Sequence, residues 1–241
     1  MNNFVFKTKP YQHQREAFEG SAEQENYALL MDMGTGKTKV CIDTIAHSFE
    51  KKKVDLAIIV APKGVIANWI GEIETHLPER IGTDIVLWKP NLTKAKRKEL
   101  VDLYKENDNL KFLLMNVEAF SSKKGVDVAE FFVKKFKVFM AVDESTTIKN
   151  RRAKRTKSIC DVGRGAVMRR ILTGSPVTKS PMDLYSQMDF LSPKILGFKS
   201  YYAFQGRYAV VQRRTMGAHS FNNIVGFQRL DELTEALNGH S

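Results

Sequence analysis

A chain of 241 residues, 43% hydrophobic and 27% charged, is long enough to bury a sizeable core and is not of disordered composition. Its 38 Lys and Arg against 27 Asp and Glu leave a formal net charge of +11, so the protein is either simply basic or meets a polyanion such as nucleic acid. Two isolated cysteines make neither a disulfide framework nor a zinc site, and no apolar run reaches signal-peptide or membrane-spanning length; a soluble intracellular protein of cytoplasm, nucleoid or nucleus is expected, not secreted and without a membrane partner.

In chain order, short apolar runs alternate with longer segments of helical period. Residues 27–31 (YALLM) read as a strand and 37–50 as a helix. Between them stands Met31-Asp32-Met33-Gly34-Thr35-Gly36-Lys37-Thr38, the strand–turn–helix context that a phosphate loop requires. Gly34 and Gly36 permit a tight turn that aims successive N–H groups at phosphate oxygens, and the helix start adds its positive dipole end. Lys37 supplies a compact charge for the β- and γ-phosphates, and the Thr38 hydroxyl is placed to ligate Mg²⁺. Met33, Gly34, Thr35, Gly36, Lys37 and Thr38 are therefore the expected ATP-binding residues. Met31 stands where the full motif has its first glycine, which leaves a glycine-rich turn before an ordinary helix as the plainer alternative.

Strands follow at 56–61, 84–88 and 111–115, and helices at 65–76, 93–106 and 126–135. The next run, 138–142, ends in Asp143-Glu144. Two carboxylates at the end of a strand are usually a solvated turn; beside a phosphate loop, Asp143 is expected to hold Mg²⁺ directly or through its water. Glu144 is expected to orient and deprotonate the attacking water. Lys37, Asp143 and Glu144 form the expected catalytic set, with Thr38 and Asp143 on the metal.

Lys149, Arg151, Arg152, Lys154, Arg155 and Lys157 then place six cations in nine residues with no acid among them, either a solvated face or a seat for a phosphate backbone. A helix at 153–162, a strand at 170–172 and a helix at 183–191 follow. Residues 201–227 are basic and aromatic-rich without a clear period, and read as a less regular accessory region containing a hairpin across 210–215 and 220–225. Several strands are apolar without alternation, as strands covered on both faces are, so the expected fold is α/β with a doubly wound, mainly parallel sheet. Ligands of such sheets bind at the strand C-termini.

Taken in order, these residues resemble the first RecA-like domain of superfamily-two helicases, and most closely the Swi/Snf-type translocases. The segment Lys9-Pro10-Tyr11-Gln12 is similar to the family's adenine-reading segment, which makes Gln12 the implied base contact. The family's phosphate loop commonly carries a non-glycine residue where Met31 stands. Ala61-Pro62-Lys63 with Asn68-Trp69-Ile70 and Glu72 is similar to the first nucleic-acid-contacting motif, and Leu172-Thr173-Gly174-Ser175-Pro176-Val177 to the relay motif. Lys63, Asn68, Lys149, Arg151, Arg152, Thr173 and Ser175 are the resulting nucleic-acid candidates. The Thr173 and Ser175 hydroxyls suit the acidic pair or phosphates, with a capped turn as the alternative. Trp69, at helical spacing with Ile66 and Ile73, reads as core or groove lining rather than a base-stacking platform.

The resemblance implies an ATP-binding domain over residues 1–200 and an accessory segment over 201–241. It implies a nucleic-acid-dependent ATPase acting on double-stranded DNA, with ATP and Mg²⁺ as cofactors. Such motors draw an arginine finger from a second RecA-like domain; Arg213 and Arg214 come too soon after Thr173 for one to intervene, so the chain is expected to be half of a motor with slow turnover. The rival readings are a nucleotide- and DNA-binding regulatory module and another P-loop phosphotransferase.

Overall fold

The computed structural model describes residues 4–91, 93–216 and 219–241. Six parallel strands form one sheet: β1 (Asn26–Leu30), β2 (Leu56–Ala61), β3 (Thr83–Leu87), β4 (Leu110–Asn116), β5 (Val138–Asp143) and β6 (Met168–Thr173). Their spatial order is β1-β6-β5-β2-β4-β3. Helices α1 (Gln12–Ser21), α2 (Lys37–Glu50), α3 (Asn68–His76), α4 (Lys94–Tyr104), α5 (Lys123–Lys135), α6 (Lys154–Gly163) and α7 (Leu184–Leu191) cover its two faces. Strand alternation divides the core: Ile58, Val60, Leu113, Met140 and Val142 enter one apolar layer, and Ala57, Ile59, Phe112, Leu114 and Ala141 the other. Every residue of β2 and β5 is buried, the reason their sequences carry no polar alternation.

All six predicted strands are present, with ends shifted by a residue or two. Side-chain caps set two helix starts, with Thr93 Oγ1 accepting the Lys96 N–H at 3.3 Å and Ser122 Oγ the Gly125 N–H at 3.2 Å. The helix expected over 65–76 begins at Asn68, because the N–H groups of Val65 and Ile66 are taken by the Pro62 carbonyl in a preceding turn. Helix α1 was not among the predicted elements; it buries only Gln14, Phe18 and Ser21, too sparse an apolar stripe to read from sequence.

The hairpin read across 210–215 and 220–225 is present, and the rest of the region after residue 200 is more regular than expected. The region forms α8 (Tyr201–Tyr208), an antiparallel hairpin of β7 (Ala209–Met216) and β8 (His219–Phe227), and α9 (Leu230–Leu237). Phe204, Tyr208 and Leu233 are buried in the same apolar layer as the sheet, and Phe204 packs among Tyr185, Phe198 and Tyr208. The aromatic residues that hid the helical period are thus its packing face. At the sheet edge, the Ala28 N–H of β1 donates to the His240 carbonyl at 2.6 Å.

One charge is part of this framework. Arg170 on β6 is fully buried, and its guanidinium donates to the carbonyls of Ser21, Gln24, Glu25 and Arg169 at 2.7–3.0 Å. Burial lowers its pKa to about 10. It ties the α1–β1 connection to the strand beside β1.

Candidate active site

Only β6 separates β1 from β5, so the segments leaving these three strands lie side by side at the C-terminal edge of the sheet. The turn after β1 is built by two glycines in the left-handed region, Gly34 at φ 77° and Gly36 at φ 86°, with Gly36 acting as the N-cap of α2. Thr35 closes the turn, its hydroxyl donating to the Asp32 carbonyl at 2.7 Å. The Thr35 carbonyl in turn accepts the His13 ring Nε2–H at 2.9 Å and the Gln14 side-chain amide at 3.0 Å. The loop is therefore held from α1, through Thr35.

That cleft has a volume of about 340 Å³. Met33, Gly34, Gly36, Lys37 and Thr38 line one side, Asp143 and Glu144 the floor, and Val65, Asn68, Trp69 and Glu72 the opposite wall. Lys37 is buried, lines the cleft and donates to the Met31 and Asp32 carbonyls at 2.8 and 2.9 Å.

Asp143 accepts two hydrogen bonds, one per oxygen: the Glu144 backbone N–H at 2.9 Å on Oδ1 and the Trp69 indole Nε1–H at 3.0 Å on Oδ2. Burial raises its pKa, opposed by the Trp69 and Glu144 donors and by the Lys37 charge. Glu144 sits at φ 48°, ψ 60°, a left-handed conformation that costs a non-glycine residue about 1–2 kcal/mol. Such strain collects at functional sites.

The structure thus brings together Met33, Gly34, Gly36, Lys37, Thr38, Asp143 and Glu144, with Thr35 bracing the turn from behind. Gln12 stands apart from the cleft lining: it is exposed on the first turn of α1 and donates to Glu16 at 3.0 Å, while its neighbours His13 and Gln14 reach the loop. Asn68 lines the cleft, and Lys63 is exposed in the turn before it.

The segment after β6 abuts the phosphate loop, since a Cβ on Gly174 would lie 3.4 Å from Met31 O and Met33 N. Its hydroxyls are used locally: Thr173 Oγ1 accepts the Ser175 N–H at 3.2 Å, and Ser175 Oγ donates to the Val177 carbonyl at 3.4 Å. Both hydrogen bonds belong to a capped turn at the strand end.

The six-cation stretch is not one helical face. Lys149, Arg151 and Arg152 precede α6, and only Lys154, Arg155 and Lys157 lie on it. Arg152, Lys154 and Lys157 are exposed to solvent, as a solvated face would be, while an acid and aromatic rings meet two of the others. Arg155 pairs with Glu118 at 2.7 Å, and Arg151 lies 4.0 and 5.0 Å from the ring centroids of Tyr201 and Tyr202. Lys149 donates to the Thr178 hydroxyl. Lys149, Arg151 and Arg152 and the two tyrosines line a second, basic cleft of about 330 Å³.

Two side chains of this site were not assigned their roles from sequence. Trp69 contacts the acidic pair across 74 positions, a link no local pattern carries. Gln187, fully buried, accepts the Ser145 hydroxyl at 2.6 Å and donates to the Pro176 carbonyl at 2.7 Å, tying the segment after β5 to the segment after β6. Its position on an apolar helix, α7, was the one available signal, since a glutamine there must find buried partners.

Comparison with known proteins agrees with this geometry. Residues 11–225 match the family described as SNF2-related domain. A probable ATP-dependent DNA helicase of Arabidopsis thaliana is 32% identical over 173 residues, covering 70% of this chain and 14% of that protein. An uncharacterized ATP-dependent helicase of Mycoplasma genitalium is 27% identical over 207 residues, covering 85% of this chain and 18% of that protein. Among solved structures, the Sulfolobus solfataricus SWI2/SNF2 ATPase core in complex with dsDNA superposes with a TM-score of 0.67 at 22% identity, covering 86% of this chain and 40% of that one. The chain spans less than half of each of these proteins. With the parallel sheet, the glycine turn and the acidic strand end in their places, and with the family matched from residue 11 to residue 225, the chain belongs to the SNF2-related domain family and has its RecA-like α/β fold.

Proposed function

We propose that the chain is the ATP-binding half of a nucleic-acid-dependent motor that acts on double-stranded DNA. The observation that carries this reading is the convergence, in one cleft, of the Gly34–Gly36 turn, the Lys37 ammonium and Thr38 hydroxyl, and the Asp143-Glu144 pair. The triphosphate lies along the turn, its β- and γ-oxygens accepting loop N–H groups and replacing the Met31 and Asp32 carbonyls on Lys37.

Among the described residues no cluster of three His, Cys, Asp or Glu could hold a metal ion. Magnesium in such sites takes one or two protein oxygens and completes its shell with nucleotide phosphate and water. Thr38 and Asp143 fit that demand, and Mg²⁺ bound there neutralises charge on the phosphates. Glu144 accepts a proton from the attacking water as its oxygen bonds the γ-phosphorus, and the bond from the γ-phosphorus to the β–γ bridging oxygen breaks. The charge that develops calls for an arginine from a second RecA-like domain, without which turnover is slow; such a finger is worth about 10³–10⁵-fold. The name of the Sulfolobus core includes a duplex, and this chain's excess of cations supports the same partner. Lys63, Arg151 and Arg152 are the backbone contacts proposed here. Gln12 remains the proposed adenine contact, reaching the base after a rotation away from Glu16.

The test is nucleotide binding and single-turnover hydrolysis, with and without a duplex. Lys37→Ala is expected to weaken ATP binding by about 10–100-fold, the worth of a charge-assisted hydrogen bond to phosphate. Undiminished affinity in the folded variant, or phosphoryl transfer to a metabolite instead of water, would end this reading.

A further inference from the structure

Nucleic-acid-dependent hydrolysis requires that the duplex be felt at the acidic pair. The hydroxyls of Thr173 and Ser175, the side chains a relay would use, make their hydrogen bonds within their own turn. One side chain from the motif bearing Lys63 and Asn68 does reach the pair. Trp69 is 1% exposed and its indole N–H holds Asp143 Oδ2 at 3.0 Å.

The helix that carries it is lightly attached. Of the nine residues of α3 only Trp69 and Ile73 are buried, whereas α2 buries eleven of its fourteen. Helix α3 therefore has far less apolar surface resisting a small displacement than α2 has. Its N-terminal turn presents exposed Asn68, with exposed Lys63 just before it, so a phosphate backbone bound there acts on the turn that carries Trp69. Any such displacement moves the indole that orients the carboxylate.

We propose that Trp69 is a positioning residue that couples nucleic acid at the start of α3 to the metal-holding carboxylate of Asp143. The inference rests on the proposed function of the cleft. Asp143 has its Oδ1 fixed by the backbone of its own strand end and its Oδ2 fixed by α3, so its plane has one static and one movable support. Partners of this kind, one step outside a metal's ligands, set the orientation of the ligating oxygen. Their removal typically weakens metal binding about 10–100-fold.

The protein has two tryptophans, Trp69 and Trp88, which makes the test direct. Two substitutions separate the donor from the ring: Trp69→Phe removes the N–H and part of the bulk, and replacement of Trp69 by benzothienylalanine exchanges N–H for sulfur at nearly constant shape. The first readout is the affinity for mant-ADP in Mg²⁺ divided by that in EDTA. Both variants are expected to lose about tenfold or more of that ratio. The second is the ratio of affinities for a 20-base-pair duplex with and without Mg²⁺-nucleotide, which is expected to fall toward one, because coupling is reciprocal. In a Trp88→Phe background, Trp69 emission is expected to respond to the duplex alone.

Wild-type protein that binds no nucleotide would overturn the reading of the cleft itself. Wild-type protein that binds with a Mg²⁺ advantage which both variants retain would overturn the role of Trp69 and leave the cleft standing. Loss in Trp69→Phe with full retention in the benzothienylalanine variant would assign Trp69 to packing, against the proposal.

Discussion

Gly36 provides the sharpest test of how the phosphate loop is held. Its φ of 86° costs an alanine about 1–2 kcal/mol, and a Cβ there would lie 2.3 Å from Gln14 Nε2 and 3.2 Å from Gln14 Cδ. Gln14 would have to leave the Thr35 carbonyl, which it now holds at 3.0 Å, at a further cost of about 0.5–1.5 kcal/mol. The reduced freedom of the unfolded chain returns about 0.4–1 kcal/mol. Gly36→Ala is therefore expected to destabilise the fold by about 1.5–2.5 kcal/mol. Gly34 supplies the control, since its φ of 77° carries the same backbone cost but no atom lies within 4 Å of the added methyl. Gly34→Ala is expected to cost about 0.5–1 kcal/mol. Urea unfolding followed by circular dichroism measures both, and repeating Gly36→Ala in a Gln14→Ala background closes a double-mutant cycle with a coupling of about 1 kcal/mol. Equal costs at the two glycines, or a Gly36 cost untouched by removal of Gln14, would refute the view that α1 braces this loop.

Further outcomes follow from buried charge and from the basic cleft. Burial raises the Asp43 carboxyl to about 6 despite its ion pair with Lys39 at 2.7 Å. A folded value above the ordinary one means that the protonated form stabilises the fold: the contribution is full below about pH 4 and is lost as pH rises through about 6. Relative to wild type, Asp43→Asn should therefore gain about 2–3 kcal/mol between pH 4 and 7 in unfolding experiments; a constant difference would contradict this. Arg170→Ala removes four hydrogen bonds to backbone carbonyls, of which those of Glu25 and Ser21 keep a backbone N–H donor, and leaves a cavity beside Phe139; a loss of about 3–5 kcal/mol is expected in the same assay. A loss under about 1 kcal/mol would mean that water replaces the guanidinium freely. Duplex affinity measured by anisotropy should fall steeply with salt, and Arg152→Ala should weaken it evenly across sequences while lowering the salt slope by about one. A salt-independent affinity would remove nucleic acid from the account.

Much of this molecule was legible in its linear order, for a physical reason. A parallel sheet covered on both faces needs uninterrupted apolar strands such as 56–61 and 138–142, and a phosphate loop needs glycine at the two positions where φ is positive. Both are local demands, so the strands, the glycine turn and the acidic strand end stand in the sequence itself.

Tertiary structure decided what depends on residues far apart. The sequence of α1 is too polar to announce a helix, and it forms because Phe18 and Gln14 find partners on α2 and the phosphate loop. The aromatic stretch after residue 200 had no readable period until Phe204 and Tyr208 met the sheet's apolar layer. The pairing of Arg155 with Glu118, the stacking of Arg151 on Tyr201 and Tyr202, the bridge through Gln187 to Ser145 and the grip of Trp69 on Asp143 all join segments separated by tens of positions. Side-chain contacts between distant segments leave no periodicity in a sequence; only the packed sheet edge determines which of those side chains come within hydrogen-bond distance of each other.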